Sequence, residues 1–422
     1  MATKEHAFSE EITLEGHIID SLILPRVFDA IMDLGGDFRV EEIQVGTHKR
    51  EPSFARLTVF APTKPQIHRI VTTLQGFGAI LVSGRDVETA PAPCDGALPD
   101  GFYSTTNLAT QLRVHGRWVE VEGTEMDLAI VVDRALSTAQ AKPIADVRRG
   151  EQVVVSHDGI RVIPLERERQ RELFSFMQSP VSAERPNRLA ITNIAHTMRE
   201  VRSQGGRVLF VVGPAIIHTG AGTYLAELIR RGFVQVLFSG NAIAVHDVES
   251  VLYGTSLGIN LTNGQPVWGG RRNHMRAINA IRRVGSLQEA VTRGLLTRGV
   301  MYECIRHGVE VVLAGSIRDD GPMPGVITDV IEAQRRMRRA LKGVELVVMV
   351  ATMLHSIATG NLLPAAIRVV VVDINPAVVT KLADRGSFQA VGLVTDAELF
   401  LRELVEALRG SWAITRARPQ PL

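Results

Sequence analysis

Cysteine is scarce: the 422-residue chain carries two, Cys94 and Cys304. Two thiols cannot build a disulfide framework, and their scarcity fits a reducing compartment. Metal-ligand spacing is missing too, since the nearest pair of the 12 histidines is His6 and His17. HExxH and CxxC patterns are therefore absent, and no resident metal is expected. There is no GxxxxGK[ST] phosphate loop, no GxSxG elbow and no GxGxxG fingerprint, which argues against a kinase, an α/β-hydrolase and a metallohydrolase. An excess of one charge is lacking, with 22% charged residues and a net charge of +2. That balance offers neither a nucleic-acid footprint nor a polybasic membrane surface. No apolar run of about 20 residues exists to span a bilayer. The polar start MATKEHAFSEEI does not read as a secretory leader. A cytoplasmic protein that binds neither nucleic acid nor membrane is expected.

Hydrophobic residues make up 45% of the chain, its length points to two or three domains, and the patterns along it are of α/β class. From residue 11 the patterns run EITLEGHIID as strand, LPRVFDAIMDLGG as amphipathic helix, then DFRVEEIQVG and SFARLTVFAP as strands around the turn THKREP. PQIHRIVTTLQGFG reads as a second helix and AILVSG as a last strand. The order βαββαβ predicts a ferredoxin-like α+β module over residues 1–90, a shape that often binds effectors or forms dimers. The loop ETAPAPCDGALPDG closes it. Short strands and turns at Arg149-Gly150 and His157-Asp158-Gly159 predict a small β-rich subdomain over 100–185, with Trp118 in its core. A polar helix around Ser182 to Ser203 follows, ending at Gly205-Gly206.

Over 205–412 the texture becomes alternating strand and helix: RVLFVV, FVQVLFSG, VEVVLAG, ELVVMVAT and RVVVVD, with a helix near Ala397 to Leu408. That is a parallel sheet of Rossmann type, whose ligands sit beyond the carboxyl ends of the strands. The stretch LVVMVATMLHSIATGNLLPAAIRVVVVD organises the rest. In a dinucleotide unit an acidic residue about 20 positions after the phosphate loop takes the ribose hydroxyls, and Thr352 and Asp373 stand at that spacing. No arginine directly follows Asp373, so NAD fits better than NADP. Other strand ends offer Gly213 to Gly222, where glycines let backbone approach a ligand, and Asn241, either a helix cap or an amide for a ribose or nicotinamide. His246 and Asp247 adjoin each other on a helix and point apart. Ser316-Ile317-Arg318-Asp319-Asp320-Gly321 places three charges beside a strand end. The loop Gly269 to His274 brings Arg271 and Arg272, residue types suited to a carboxylate. Glu303 and Cys304 lie in the helical segment MYECIRHG.

The segments FSEEITLEGHIIDSLILPRVFDAIMDLGGDFRVEEIQVG, SGNAIAVHDVES, AGSIRDDGPMPGVITDV, VATMLHSIATGNLLP and VVVVDINPAVVTKLADRGS resemble the NAD-dependent ornithine cyclodeaminases of LOR/SDH type, also the C-terminal part of bifunctional arginine dihydrolase/ornithine cyclodeaminase proteins. The resemblance runs from about Phe8 to Leu408. It implies a Rossmann-like domain similar to that of deoxyhypusine synthase, and a lyase that converts L-ornithine to L-proline and ammonia with NAD recycled in place. It further implies NAD contacts at Asn241, Ala242 and Asp320, a pyrophosphate cradle at Thr352, Met353, Leu354 and His355, Asp373 on the ribose, and contacts at Leu393 and Val394. Only about ten residues precede the first strand, so arginine is not the expected substrate. The chemistry needs an arginine for the substrate carboxylate, for which Arg271, Arg272 and Arg318 are candidates. It also needs a carboxylate for an ammonium, drawn from Asp319, Asp247 or Glu303, with Asp319 the choice for catalytic acid/base. A homo-oligomer is expected. The alternatives are a net NAD-dependent dehydrogenase of saccharopine or lysine type, and a non-catalytic NAD-binding regulator.

Overall fold

The computed structural model describes residues 8–19, 21–48, 51–82, 84–135, 137–155, 157–163, 187–319, 321–383 and 390–410. These divide into two compact units: the described residues before Phe176 together with Leu363–Ala366, and the remainder after Met177.

The first unit begins with β1 (Phe8–Gly16), α1 (Ile23–Asp33), β2 (Asp37–Gln44), β3 (Ser53–Ala61), α2 (Lys64–Gln75) and β4 (Ile80–Leu81). The strands lie antiparallel in the order β2-β3-β1-β4, the ferredoxin-like arrangement expected from the sequence. Alternation drives it: on β3, Ala55, Leu57, Val59 and Ala61 are all fully buried while the residues between them are not. Ile31 of α1 and Ile70 and Leu74 of α2 close the same core. Thr63 caps α2, its hydroxyl accepting the Gln66 N–H at 3.4 Å.

A seven-stranded sheet follows, built from β5 (Glu88–Pro91), β6 (Ala109–Val114), β7 (Arg117–Glu122), β8 (Ala129–Asp133), β9 (Thr138–Lys142), β10 (Gln152–Val155) and β11 (Ile160–Ile163) in the order β11-β6-β7-β9-β8-β10-β5. The β-rich expectation holds, but Glu88–Pro91, expected in the closing loop, pairs with β10 as strand β5, and Trp118 is 41% exposed rather than core. On β7 the inward parity belongs to Val119 and Val121, which turns Trp118 outward opposite Arg113.

In the second unit the polar helix read from Ser182 is α3 (Asn187–Ser203); residues 182–186 lie outside the described residues. Then come β12 (Arg207–Val212), α4 (Ala215–His218), α5 (Gly222–Arg230), β13 (Val236–Gly240), α6 (Asn241–Tyr253), a small hairpin β14 (Thr255–Ser256) and β15 (Ile259–Asn260), α7 (Asn273–Val284), α8 (Leu287–Thr292) and α9 (Val300–Arg306). The chain continues through β16 (Glu310–Ala314), α10 (Val330–Ala340), β17 (Val344–Val350), α11 (Leu354–Leu362), β18 (Arg368–Asp373), α12 (Pro376–Ala383), β19 (Ala390–Val394) and α13 (Ala397–Arg409). All six long strands run parallel, in the order β16-β13-β12-β17-β18-β19. Val208 to Val212 and Val347 to Val350 are nearly fully enclosed because helices cover both faces. Counted along the domain, the order is third, second, first, fourth, fifth, sixth: the doubly wound Rossmann arrangement. It reverses between β12 and β17, and in folds of this arrangement the ligand crevice lies beyond the carboxyl ends at that point. Between β13 and β16 the crossover is not one helix but four plus a hairpin. No described helix is long and apolar enough to cross a membrane.

Candidate functional site

At the reversal point two backbone turns meet. A Cβ on Gly213, directly after β12, would fall on the Ala351 carbonyl and within 3.1 Å of the Thr352 side chain. Only glycine allows that approach. Ala351 takes a left-handed φ of 52° and donates its N–H to Val372 O at 3.0 Å. The turn from Ala351 to Met353 delivers the N-terminus of α11 to the crevice, where its free amides suit an anion. Thr352 is half-buried, whereas Met353 and Leu354 are exposed. On α11 the hydroxyls of Ser356 and Thr359 are buried without a hydrogen-bond partner.

His355 reaches across the sheet from that turn. A Cβ on Gly240, at the end of β13, would stand 3.0 Å from its Cε1 and 3.4 Å from its Nε2. Burial lowers the imidazole pKa, against the raising influence of the Ala314 carbonyl and the Asp319 charge. His355 thus joins the ends of β13, β16 and β17 in one neighbourhood. Asn241 lies there as well, with only 4% of its surface exposed. It is not the helix cap, since Gly240 takes that position. Its Oδ1 accepts the Met323 N–H at 3.0 Å and so ties down the loop after β16. Ala242 follows on the first turn of α6, half-buried.

In that loop Asp319 accepts the Ser316 N–H at 2.8 Å on one oxygen and the Ser316 hydroxyl at 3.3 Å on the other. Its carboxylate therefore shapes the loop, and its charge acts on His355. Arg318 is exposed, and Asp320 lies outside the described residues. Arg271 sits in a 3-10 turn, Gly270–Arg272, with its side chain outside the described residues, and Arg272 is exposed. On the far side of the reversal point, Asp373 ends β18, half-buried, one oxygen accepting the Asn375 N–H at 2.9 Å. Asp373 pairs in register with Val394, and Val372 with Leu393. Leu393 is 6% exposed, its side chain in the core, so it offers a ligand only backbone.

Asp247 and Glu303 have other tasks. Asp247 is 2% exposed and accepts the N–H groups of Val300 at 2.9 Å and Met301 at 2.8 Å, the start of α9. Burial pushes its carboxyl up to about 6 against those two bonds. A carboxyl raised in the folded state holds its proton more tightly there than in the unfolded chain. Its contribution to stability is thus full below about pH 4 and falls as pH rises to about 6. Unfolding followed between these pH values is expected to show a decline of up to roughly 3 kcal/mol that Asp247→Asn removes; an unaltered slope in the variant would refute it. Glu303 pairs with Arg230 at 2.8 Å and His307 at 3.2 Å. Cys304 is 1% exposed, and burial raises its thiol pKa. Among the described residues no cluster suited to a metal ion occurs.

One constellation escaped the sequence reading. Glu249 is fully buried, and its carboxylate is bonded by His246 Nδ1 at 2.9 Å, the Thr255 hydroxyl at 2.8 Å, and the N–H groups of Leu257 at 3.2 Å and Gly258 at 3.1 Å. Burial alone would raise this carboxyl, but His246, Gly258 and Thr255 outweigh it and hold the pKa low. His246 meets the ring of His218 edge to face, centroids 4.8 Å apart. His218 Nδ1 lies 2.7 Å from Ser256 Oγ. Only the three-residue step from His246 to Glu249 was legible, as neighbours on one helix face; His218 and Ser256 arrive from separate elements.

Residues 192–404 match the family model described as Arginine dihydrolase ArgZ-like, C-terminal, Rossmann fold, residues 109–191 its first region, and residues 9–108 the LOR/SDH bifunctional enzyme conserved region. The ornithine cyclodeaminase of Methanocaldococcus jannaschii is 54% identical, over 95% of this chain and 96% of its own length. Among solved structures, a conserved LOR/SDH protein from Methanococcus maripaludis S2 superposes with a TM-score of 0.73 at 46% identity, covering 78% of this chain and 98% of that one. The ternary complex of AgrE with ornithine and NAD+ gives a TM-score of 0.53 at 43% identity, over 96% of this chain and 58% of that one.

Proposed function

The chain belongs to the ArgZ-like C-terminal family with its LOR/SDH region, and from that membership we propose that it is an NAD-dependent ornithine cyclodeaminase, forming L-proline and ammonia from L-ornithine. The observation that carries the reading is the reversal point between β12 and β17, flanked by the N-terminus of α11 on one strand end and Asp373 on the next. The residues present fit NAD. A buried, unpartnered Ser356 hydroxyl lies in the first turn of α11, and an acidic residue without a following arginine ends β18. Thr352, Met353, Leu354 and His355 would hold the pyrophosphate side, and Asp373 the ribose, with backbone at Leu393 and Val394 closing that half. Asn241 and Ala242 would line the other half, and Asp320, outside the described residues, remains a proposed contact from the resemblance alone.

NAD supplies a place for the hydride of the substrate α-carbon and returns it to the closed ring. The chain's residues do the rest. An arginine, Arg271 or Arg318, fixes the substrate carboxylate with a two-pronged bond. Asp319 holds the α-ammonium and takes its proton before the hydride departs. Holding one flexible molecule bent supplies much of the ring closure, since nucleophile and electrophile are already joined. Excluding water protects the intermediate imine from hydrolysis. Within this scheme the module at 1–90 and the subdomain at 100–185 form parts separate from the NAD-binding domain at 205–412, and the protein works as a cytoplasmic homo-oligomer in proline formation.

The test is incubation of the purified protein with L-ornithine and a trace of NAD. Equal proline and ammonia in large excess over NAD, with no lasting NADH absorbance, is expected. NADH accumulating without proline would replace the reading with a net dehydrogenase, and unchanged ornithine with a regulator.

A further inference from the structure

We infer that His218 is an acid/base group of this reaction, moving one proton between the two substrate nitrogens during ring closure, with Ser256 and Glu249 as its positioning residues. The inference rests on the cyclodeaminase reading of the same crevice. Its first support is placement. Asp373 assigns one ribose to the β17-β18 half of the sheet, so the reacting end of the cofactor belongs to the β12-β13-β16 half. His218 stands six residues beyond the last residue of β12, on that half.

The second support is the architecture behind it. Within the network, Glu249, His246, Ser256 and Thr255 are buried, and His218 alone is half-exposed. It is therefore the member able to meet a substrate. Ser256 Oγ engages Nδ1 at 2.7 Å, which leaves Nε2 as the nitrogen for proton transfer. Ser256 is fixed in turn because Glu249 grips the hairpin through Thr255, Leu257 and Gly258. Asn273 adds a bond to the Thr255 hydroxyl at 2.9 Å. A fully buried carboxylate with four donors is a costly way to hold a four-residue turn, and such networks persist where orientation matters. The titratable groups facing His218 are His246 and Glu249, both from α6. Burial and His246 lower its pKa while Glu249 opposes them, so near neutral pH the ring is a free base.

The α-carbon arrives as an iminium after its hydride has left, and the neutral δ-amine adds its lone pair to that carbon, forming the ring C–N bond. Neutral His218 accepts one proton from the new ring nitrogen and passes it to the outer nitrogen. The outer C–N bond breaks, its electron pair leaving with ammonia, and the ring nitrogen's pair forms the cyclic iminium. His218 ends neutral, ready for another turnover.

The experiment is single turnover of His218→Ala with ornithine and saturating NAD. NADH is expected to rise toward the enzyme concentration while proline formation falls about 100-fold, and added imidazole should restore part of the proline rate. Ser256→Ala should lower kcat with KM unchanged, and Ser256→Thr should recover it. Proline at the wild-type rate in His218→Ala, loss of NADH and proline together, or no response to imidazole would overturn the assignment. A wild-type enzyme that makes no proline would instead refute the reading beneath it.

Discussion

Asp319→Asn is expected to lower kcat by about 10²- to 10⁴-fold, the range for losing a positioned acid or base, while NAD binding stays within a factor of three or so of wild type. The substitution is clean because the amide oxygen still accepts the Ser316 N–H that Asp319 Oδ2 holds at 2.8 Å. The loop after β16 therefore keeps its shape, and what disappears is a base and a negative charge beside His355. Steady-state proline formation and NAD titration by fluorescence separate the two effects. Equal turnover in wild type and variant would remove Asp319 from the chemistry and leave it a loop-shaping residue. In contrast to His218→Ala, no early NADH should appear, because the α-ammonium must lose its proton before hydride can leave.

Replacing Asp373 is expected to act on binding instead. Asp373→Asn keeps an acceptor for the Asn375 N–H, bonded at 2.9 Å, but loses the charge that two ribose hydroxyls would meet. A hydrogen bond to a charged group is worth about 1.5–3 kcal/mol, so the NAD dissociation constant should rise about 10- to 100-fold. Asp373→Ala should be worse, since it also frees the turn into α12. Preference for NAD over NADP should shrink in both variants, because the acidic residue at this position is what repels a 2′-phosphate. Calorimetry with each dinucleotide measures this directly; an unchanged NAD affinity would move the ribose elsewhere on the sheet edge.

Much of the fold was legible in the sequence for a local reason: periodicity. β3 alternates because one face is core, and Val208–Val212, Leu346–Val350 and Val369–Val372 are continuous apolar runs because both faces are covered. The spacing from Thr352 to Asp373 is readable because it spans only the helix α11 and the strand β18 of one crossover. Single side chains on a short strand were not so well determined. Trp118 is expected inside, yet one step of parity turns it outward.

Element types and their order are readable from the chain alone, since each follows from residues adjacent in the chain. Only packing decides which of the polar candidates are committed elsewhere. Asp247 holds the start of α9, Glu303 pairs with Arg230, and Asn241 anchors the loop at Met323 rather than capping its helix. It also decided the network of His218, His246, Glu249 and Ser256, whose members come from α4, α6 and a hairpin. No local pattern encodes that meeting, because it depends on where an enlarged crossover between β13 and β16 folds back, a matter of packing over long chain separations rather than of neighbours in sequence.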